Sequence, residues 1–269
     1  MLRTVKLIIY YFIYQLLFTF LACLVDIIPT MKQGVDALTN YQPSTMPIAV
    51  GLFLSALVMS WHLVHFKYVK FSRESFTEIP GRTILYCIPL LIAAQIISTV
   101  INEMLGFADN NQEIFFAMSR NVFGFLSMAV LAPVMEELLF RGAIQGHLQR
   151  LHWRPVWAIF TSAFIFGLVH GNPAQIPFAF LMGALFGWLY YRTGSLLPGI
   201  VGHILNNTFA ACMILASTRE EMDDTMVEML GAPLTYVLFG SAIVTFIAMG
   251  IFLNRNLPKP EATNKDLTI

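Results

Sequence analysis

Residues 122–140 read VFGFLSMAVLAPVMEELLF, an apolar stretch that nevertheless ends close to two adjacent carboxylates, Glu136 and Glu137. A transmembrane helix needs about 20 mostly apolar residues, and a charged side chain at the bilayer centre costs roughly 2.5–3.5 kcal/mol on insertion scales. A chain tolerates this cost where the charges pair, face a water-filled cavity or take part in chemistry. The stretch therefore predicts a membrane helix that carries a functional site.

The whole chain has the composition of a polytopic membrane protein. Of its 269 residues, 57% are hydrophobic and 12% are charged, whereas a typical soluble domain has about 25% charged residues. Its mean hydropathy is +0.68. This composition predicts the lipid bilayer as a partner, and the formal net charge of zero predicts no nucleic-acid partner. The cysteines match neither zinc spacing nor a disulfide framework, and we expect Cys23, Cys87 and Cys212 to be free and buried.

Apolar stretches along the chain predict an all-α transmembrane bundle of about eight spans, each near the roughly 20 residues that a span needs. The fourth is expected to continue as an amphipathic helix to about Arg150. Gly183 and Gly187 form a small-xxx-small pair, which predicts a close helix contact on the sixth span. The predicted spans are 7–28, 46–66, 83–105, 118–140, 155–172, 175–192, 196–216 and 233–253.

Basic residues predict the orientation of these spans, since cytoplasmic loops are enriched in Lys and Arg. If the helices alternate, one side of the membrane receives Arg3, Lys6, Lys67, Lys70, Arg73, Arg82, Arg150, Arg154, Arg192, Arg255, Lys259 and Lys265. The other side receives few basic residues and an acidic loop at 220–228. We therefore predict a multi-pass protein of the cytoplasmic (inner) membrane with both termini in the cytoplasm.

Glu136 and Glu137 begin the set of candidate site residues. Glu137 and Arg141 are four positions apart on a helix and can pair, while Glu136 points roughly 100° away from Glu137. Pro133 lies one turn earlier and is expected to bend the helix beside Glu136. The alternative is a purely structural ion pair within this helix, near its cytoplasmic end.

Two further spans supply His170, His203 and Asn207. Alone, a histidine at a helix end such as His170 is typical of a capped residue that touches solvent. Alone, His203 and Asn207 share a helix face and are typical of polar contacts between membrane helices. Together with the carboxylates, these groups favour hydrolysis, because it needs a base that activates water and donors that stabilise a developing oxyanion.

The ordered motifs resemble those of the CPBP family, which comprises CaaX prenyl endopeptidases and the bacteriocin-processing and bacteriocin-immunity proteins also called the Abi family. Residues 136–142 read EELLFRG and fit its E-E-x-x-x-R signature. Residues 166–170 read FGLVH and fit F-x-x-x-H, and residues 203–207 read HILNN and fit H-x-x-x-N. The similarity covers about residues 118–216, and the ordered set is more specific than any one motif.

This resemblance implies an all-helical intramembrane protease. It implies that Glu136 is the general base that activates water and that His170 helps to hold this water. It implies that His203 and Asn207 stabilise the oxyanion of the tetrahedral intermediate. The implied substrate is a peptide or protein, with lipidated and membrane-embedded chains included.

The resemblance also makes Glu137 and Arg141 a supporting pair and predicts the organisation of the chain. Residues 1–117 would form an N-terminal segment of three membrane helices. Residues 118–254 would form the catalytic membrane core, and residues 255–269 a short cytoplasmic tail.

Metal dependence stays open. The family is commonly labelled as metalloproteases, and Glu136, His170 and His203 have the donor types of a two-His, one-carboxylate Zn²⁺ site. A metal-free glutamate mechanism uses the same residues, and we favour it.

Two other functions remain as alternatives: a non-catalytic bacteriocin-immunity or scaffold protein that keeps the motifs, and a small transporter with the carboxylates as a proton relay. A transporter predicts inverted repeats, and the sequence has no such symmetry.

Overall fold

The computed structural model describes residues 2–32, 34–69, 81–222 and 224–257. Within these residues every regular element is a helix and no strand occurs, which confirms the predicted all-α transmembrane bundle. The helices are α1 (Leu2–Met31), α2 (Val35–Thr39), α3 (Thr45–His65), α4 (Gly81–Leu105), α5 (Gln112–Ser119), α6 (Val122–Arg150), α7 (Pro155–Leu168), α8 (Ile176–Thr193), α9 (Leu197–Ala216), α10 (Met226–Leu230) and α11 (Ala232–Asn256).

Each predicted span coincides with a helix, but the helices differ in length. In the described part of the chain, six are long and apolar enough to cross a membrane: α1, α3, α4, α6, α9 and α11. The remaining two predicted spans correspond to α7, with 14 residues, and α8, with 18 residues. The span predicted at 155–172 is too long, because α7 ends at Leu168 and Gly171 then takes a left-handed conformation with φ of 63°. At about 1.5 Å per residue, α7 is shorter than the roughly 30 Å of a hydrocarbon core.

The central helix α6 begins later than the sequence predicts. The predicted span starts at residue 118, whereas α5 ends at Ser119 and α6 starts at Val122. Asn121 separates the two helices, because its side-chain oxygen accepts hydrogen bonds from the backbone of Phe123 at 2.9 Å and Gly124 at 3.2 Å. From there α6 continues to Arg150, as predicted.

The backbone of α6 departs from α-helical geometry twice. Two π-helical segments, Ser127–Leu131 and Glu137–Gln145, flank the α-helical turn Ala132–Glu136. At the first segment the Ala132 N–H bonds to the Ser127 carbonyl, five residues back. The next residue, Pro133, has no N–H to offer. The bend predicted at Pro133 is thus a change of hydrogen-bonding register, which leaves carbonyls of this stretch open to other partners.

Three helix pairs make the most extensive contacts: α1 with α3, α7 with α8, and α4 with α11. Helix α6 itself packs against α1, α3, α7, α8 and α9. The predicted close contact at Gly183 and Gly187 is observed, since a Cβ at Gly183 would lie 3.0 Å from Phe166 and one at Gly187 would lie 2.6 Å from Gln145. Gln145 also donates a hydrogen bond to the Gly187 carbonyl at 2.8 Å. These glycines bring α8 against α7 and α6.

The cysteines are free, as expected, but not all are buried. Cys23 and Cys87 are buried, whereas Cys212 lies exposed on the outer face of α9. The predicted tail lies outside the described residues from position 258 onward, as do the basic residues Lys70, Arg73, Lys259 and Lys265.

Candidate active site

Glu137 and Arg141 of α6 and His203 of α9 are buried together. Their exposed fractions are 0%, 1% and 6%. Glu137 Oε1 lies 3.0 Å from Arg141 Nη1 and 3.1 Å from His203 Nδ1. An isolated charge in such an interior costs several kcal/mol, so the opposite charges of Glu137 and Arg141 stabilise each other. One carboxylate oxygen thus holds both the arginine and the imidazole.

Aromatic rings enclose this buried cluster. The Arg141 guanidinium carbon lies 4.6 Å from the centroid of Phe166 and 5.5 Å from that of Phe186, which are cation–π distances. The His203 ring stacks on Phe186 with centroids 5.2 Å apart. Phe166, the first residue of the second motif, therefore supports the arginine of the first motif.

Glu136 lies on the other side of the His203 ring. Its Oε2 is 3.6 Å from His203 Nε2, and its side chain is 12% exposed, compared with 1% for Glu137. His203 is therefore placed between two carboxylates, of which Glu136 is the one at the more open end of the cluster.

His170 follows the end of α7 at Leu168 and contacts Phe166. Its Nδ1 lies 2.8 Å from the Phe166 carbonyl, and its ring packs edge-on against that of Phe166 at 4.9 Å. A carbonyl only accepts hydrogen bonds, so Nδ1 carries the proton and Nε2 of the neutral ring is an acceptor. In the described part of the chain no hydrogen bond joins His170 to Glu136 or His203. The alternative of a capped histidine at a helix end thus holds for Nδ1 of His170, while Nε2 is available to accept a hydrogen bond.

Asn207 binds the irregular part of α6. Its side-chain nitrogen donates to the Met128 carbonyl at 3.2 Å, and the neighbouring Thr208 hydroxyl donates weakly to the Ala129 carbonyl at 3.5 Å. A residue at position 133 would donate its backbone N–H to the Met128 carbonyl in a π-helix or to the Ala129 carbonyl in an α-helix. Pro133 has no N–H, so it donates to neither carbonyl. The helix-contact alternative is therefore observed for Asn207, which connects α9 to α6 at Met128.

The three predicted metal donors do not form one group. Among the residues that the structure describes, no three His, Cys, Asp or Glu side chains are grouped so that they could hold a metal ion. Glu136 and His203 approach each other, whereas Nδ1 of His170 bonds to a backbone carbonyl. We therefore derive no step through a metal.

Gly199 provides the space that Glu137 occupies. A Cβ at position 199 would lie 2.6 Å from Glu137 Oε2, closer than real Cβ contacts allow. This oxygen is buried and has no hydrogen-bond partner among the described residues. The motifs do not include Gly199 or Phe186. Gly199 follows Pro198 and is typical of a helix start, and Phe186 is one aromatic residue in an apolar helix, so neither carries a distinguishing sequence signal.

We expect Gly199→Ala to destabilise the protein by about 1–3 kcal/mol, because the added methyl group overpacks the site and displaces the Glu137 carboxylate. Thermal unfolding of the purified protein in detergent measures this effect. Gly240→Ala in α11 is the matched control, because nothing lies within 4 Å of the added methyl group. Equal unfolding temperatures for the two variants would show that Gly199 does not limit the space around Glu137.

The fold and the site together define an all-helical membrane protein with a buried arginine–carboxylate–histidine cluster and a second, more accessible carboxylate. Residues 118–209 match the family model described as Type II CAAX prenyl endopeptidase Rce1-like. This match confirms the resemblance over the segment that contains all three motifs.

Two curated relatives match a similar share of the chain. YdiL of Bacillus subtilis (strain 168), a membrane protein named as a peptidase, is 28% identical over 123 residues, which cover 45% of this chain and 50% of YdiL. MroQ of Staphylococcus aureus (strain USA300), named as a membrane-embedded CAAX protease, is 26% identical over 128 residues, which cover 45% of this chain and 52% of MroQ. The chain thus spans about half the length of these relatives. No solved structure matches it.

Proposed function

We propose that this protein is an intramembrane endopeptidase of the Rce1-like kind, which hydrolyses a peptide bond with a water that Glu136 activates. The observation that carries the proposal is the position of Glu136 Oε2, 3.6 Å from His203 Nε2, at the accessible end of a buried cluster. The segment 118–209, which matches the family model, contains every residue that the mechanism uses.

Glu136 acts as the general base. The Glu136 side chain is 12% exposed, and we infer that the attacking water reaches the carboxylate through this exposed part. The carboxylate takes a proton from the attacking water while the oxygen of that water bonds to the peptide carbonyl carbon, whose oxygen becomes the oxyanion. When the carbonyl re-forms, the C–N bond breaks and Glu136 gives the proton to the leaving amine nitrogen. His170 helps to orient this water, because its Nε2 is an acceptor when Nδ1 donates to the Phe166 carbonyl.

His203 and Asn207 stabilise the oxyanion that forms at the peptide carbonyl. The bond from Nδ1 to Glu137 fixes the imidazole so that Nε2 faces the site, and Nε2 donates to the oxyanion when it is protonated. The amide of Asn207 has two N–H groups, of which one donates to Met128 and the other is available. Removal of one such donor costs about 2.7–4 kcal/mol of transition-state stabilisation.

Glu137 and Arg141 orient His203 without contacting substrate. We further propose that residues 118–254 form the catalytic core and that the substrate is a peptide or protein, lipidated or embedded in the membrane. The distribution of basic residues supports a cytoplasmic membrane location with both termini in the cytoplasm.

We expect His170→Ala to slow peptide cleavage by about 10²-fold or more, because the attacking water loses the group that orients it. The purified full chain is assayed with a peptide that ends in a prenylated CAAX sequence and with the same peptide without the prenyl group. Mass spectrometry of the products locates the bond that is cut. His65→Ala is the matched control, because His65 is exposed and stacks on Trp61 at 4.6 Å.

Failure of the wild type to cut either peptide would contradict the proposed CAAX-type activity, and equal rates for wild type and His170→Ala would contradict the proposed role of His170. The same assay with a chelator, followed by added Zn²⁺, tests the metal. Loss of activity with the chelator and its return with Zn²⁺ would replace the metal-free mechanism.

A further inference from the structure

A second group of polar residues lies at the C-terminal end of α6, near the first residues of α1 and away from the carboxylates in the middle of α6. Its basic members are Arg3 and Lys6 of α1 and His147 and Arg150 of α6. Arg3 and Arg150 lie within electrostatic range of His147 and of each other. None of the four forms an ion pair with a carboxylate in the described part of the chain. We call these four residues the basic cluster.

Aromatic residues connect the basic cluster to α3 and to the segment that follows it. The Arg3 guanidinium carbon lies 4.7 Å from the centroid of Tyr68, and Lys6 Nζ lies 5.4 Å from that of Tyr10. His62 stacks on Tyr68 with centroids 5.6 Å apart. The cations are therefore held in place by rings, and among the residues that the structure describes no carboxylate pairs with them.

Within the described ranges, several buried hydrogen-bonding atoms of the cluster, of its sequence neighbours and of His62 have no partner. They are Arg3 Nε, Thr4 Oγ1, His62 Nε2 and Gln149 Nε2. Thr4 and His62 are only 6% and 7% exposed, so these side chains are not simply solvated. All four atoms can donate a hydrogen bond; for His62 this holds when the Tyr14 hydroxyl, 2.8 Å away, donates to Nδ1. Buried donors without an acceptor are unfavourable. A ligand that complements these donors and the nearby cations is therefore a negatively charged hydrogen-bond acceptor.

We propose that this part of the protein binds a phosphate group, either that of an anionic lipid headgroup or free inorganic phosphate. The charge distribution predicts that this end of the bundle faces the cytoplasm, where anionic lipids attract clustered Lys and Arg. The proposal does not depend on the peptidase activity.

The test uses the purified full chain. Native mass spectrometry measures binding of phosphatidylglycerol and, for comparison, of phosphatidylcholine; thermal unfolding with inorganic phosphate tests the free anion. We expect Arg3→Gln combined with Arg150→Gln to weaken binding by about 25-fold, since each cation near a lipid surface contributes about fivefold. The matched control combines Arg154→Gln with Arg255→Gln, which removes the same charge from exposed positions.

Thr4→Val separates a built site from diffuse attraction, because it removes a buried donor and keeps every charge. Tighter binding of phosphatidylglycerol than of phosphatidylcholine, weakened by Thr4→Val and by the Arg3/Arg150 variant only, supports the lipid headgroup. Stabilisation by inorganic phosphate that is lost in the same variants supports the free anion. Equal affinity for both lipids without a phosphate effect, or equal losses in the Arg154/Arg255 control, overturns the proposal.

Discussion

Glu136→Gln is expected to lower peptide cleavage by about 10²- to 10⁴-fold, the range that a general base contributes. Glutamine has the same shape as glutamate but cannot take a proton from water. The fold of the variant is expected to be unchanged, because the 3.6 Å approach of Glu136 to His203 is longer than a hydrogen bond and because Glu137, 3.0 Å away, still pairs with Arg141. Product analysis by mass spectrometry gives kcat/KM, and thermal unfolding checks the fold.

Glu113→Gln is the matched control for this variant. The Glu113 carboxylate is 75% exposed and pairs with Arg219 at 3.2 Å on the surface, so we expect unchanged cleavage. If Glu136→Gln keeps cleavage within about tenfold of the wild type, the activated water does not depend on this carboxylate, since a general base contributes at least about 10²-fold.

The pairing of Glu137 with Arg141 could be predicted from their spacing alone. Residues four apart share a helix face, and the two are 3.0 Å apart even though this part of α6 is π-helical. The position of His203 could not be predicted in the same way. It depends on how closely α9 approaches α6, which Gly199 permits. Such an approach is a property of tertiary packing, and one sequence does not encode it as a local pattern.

The irregular parts of the fold were missed for a related reason. Hydropathy registers composition over a window, so it merged α5 with α6 across the Asn121 cap and extended α7 past its end at Leu168. Helical periodicity assumes 3.6 residues per turn, so the sequence predicted a bend at Pro133 but not the π segments. Asn207 of α9 donates a hydrogen bond to the Met128 carbonyl, which Pro133 leaves without a backbone donor. The third motif therefore selected Asn207 as a candidate site residue, but it did not predict the hydrogen bond to Met128.

Arg141→Met is expected to destabilise the protein by about 3–5 kcal/mol, because it leaves the Glu137 charge buried without its partner. Arg141 is 1% exposed. Its guanidinium pairs with Glu137 and faces the rings of Phe166 and Phe186, and its nitrogens make no well-directed hydrogen bond within the described part of the chain. Equilibrium unfolding in detergent measures the loss. Arg219→Met is the control, since its pair with Glu113 is exposed and such pairs contribute about 0–1 kcal/mol.

Glu137→Gln combined with Arg141→Met separates charge from packing. The double variant buries neither charge, so we expect it to recover much of the stability that Arg141→Met loses. It is nevertheless expected to cleave poorly, because His203 loses the carboxylate that orients its ring. A double variant no more stable than Arg141→Met would show that the arginine acts by filling space between Phe166 and Phe186. Full activity in the double variant would show that His203 needs no charged partner, so the two readouts test the two roles of the buried pair separately.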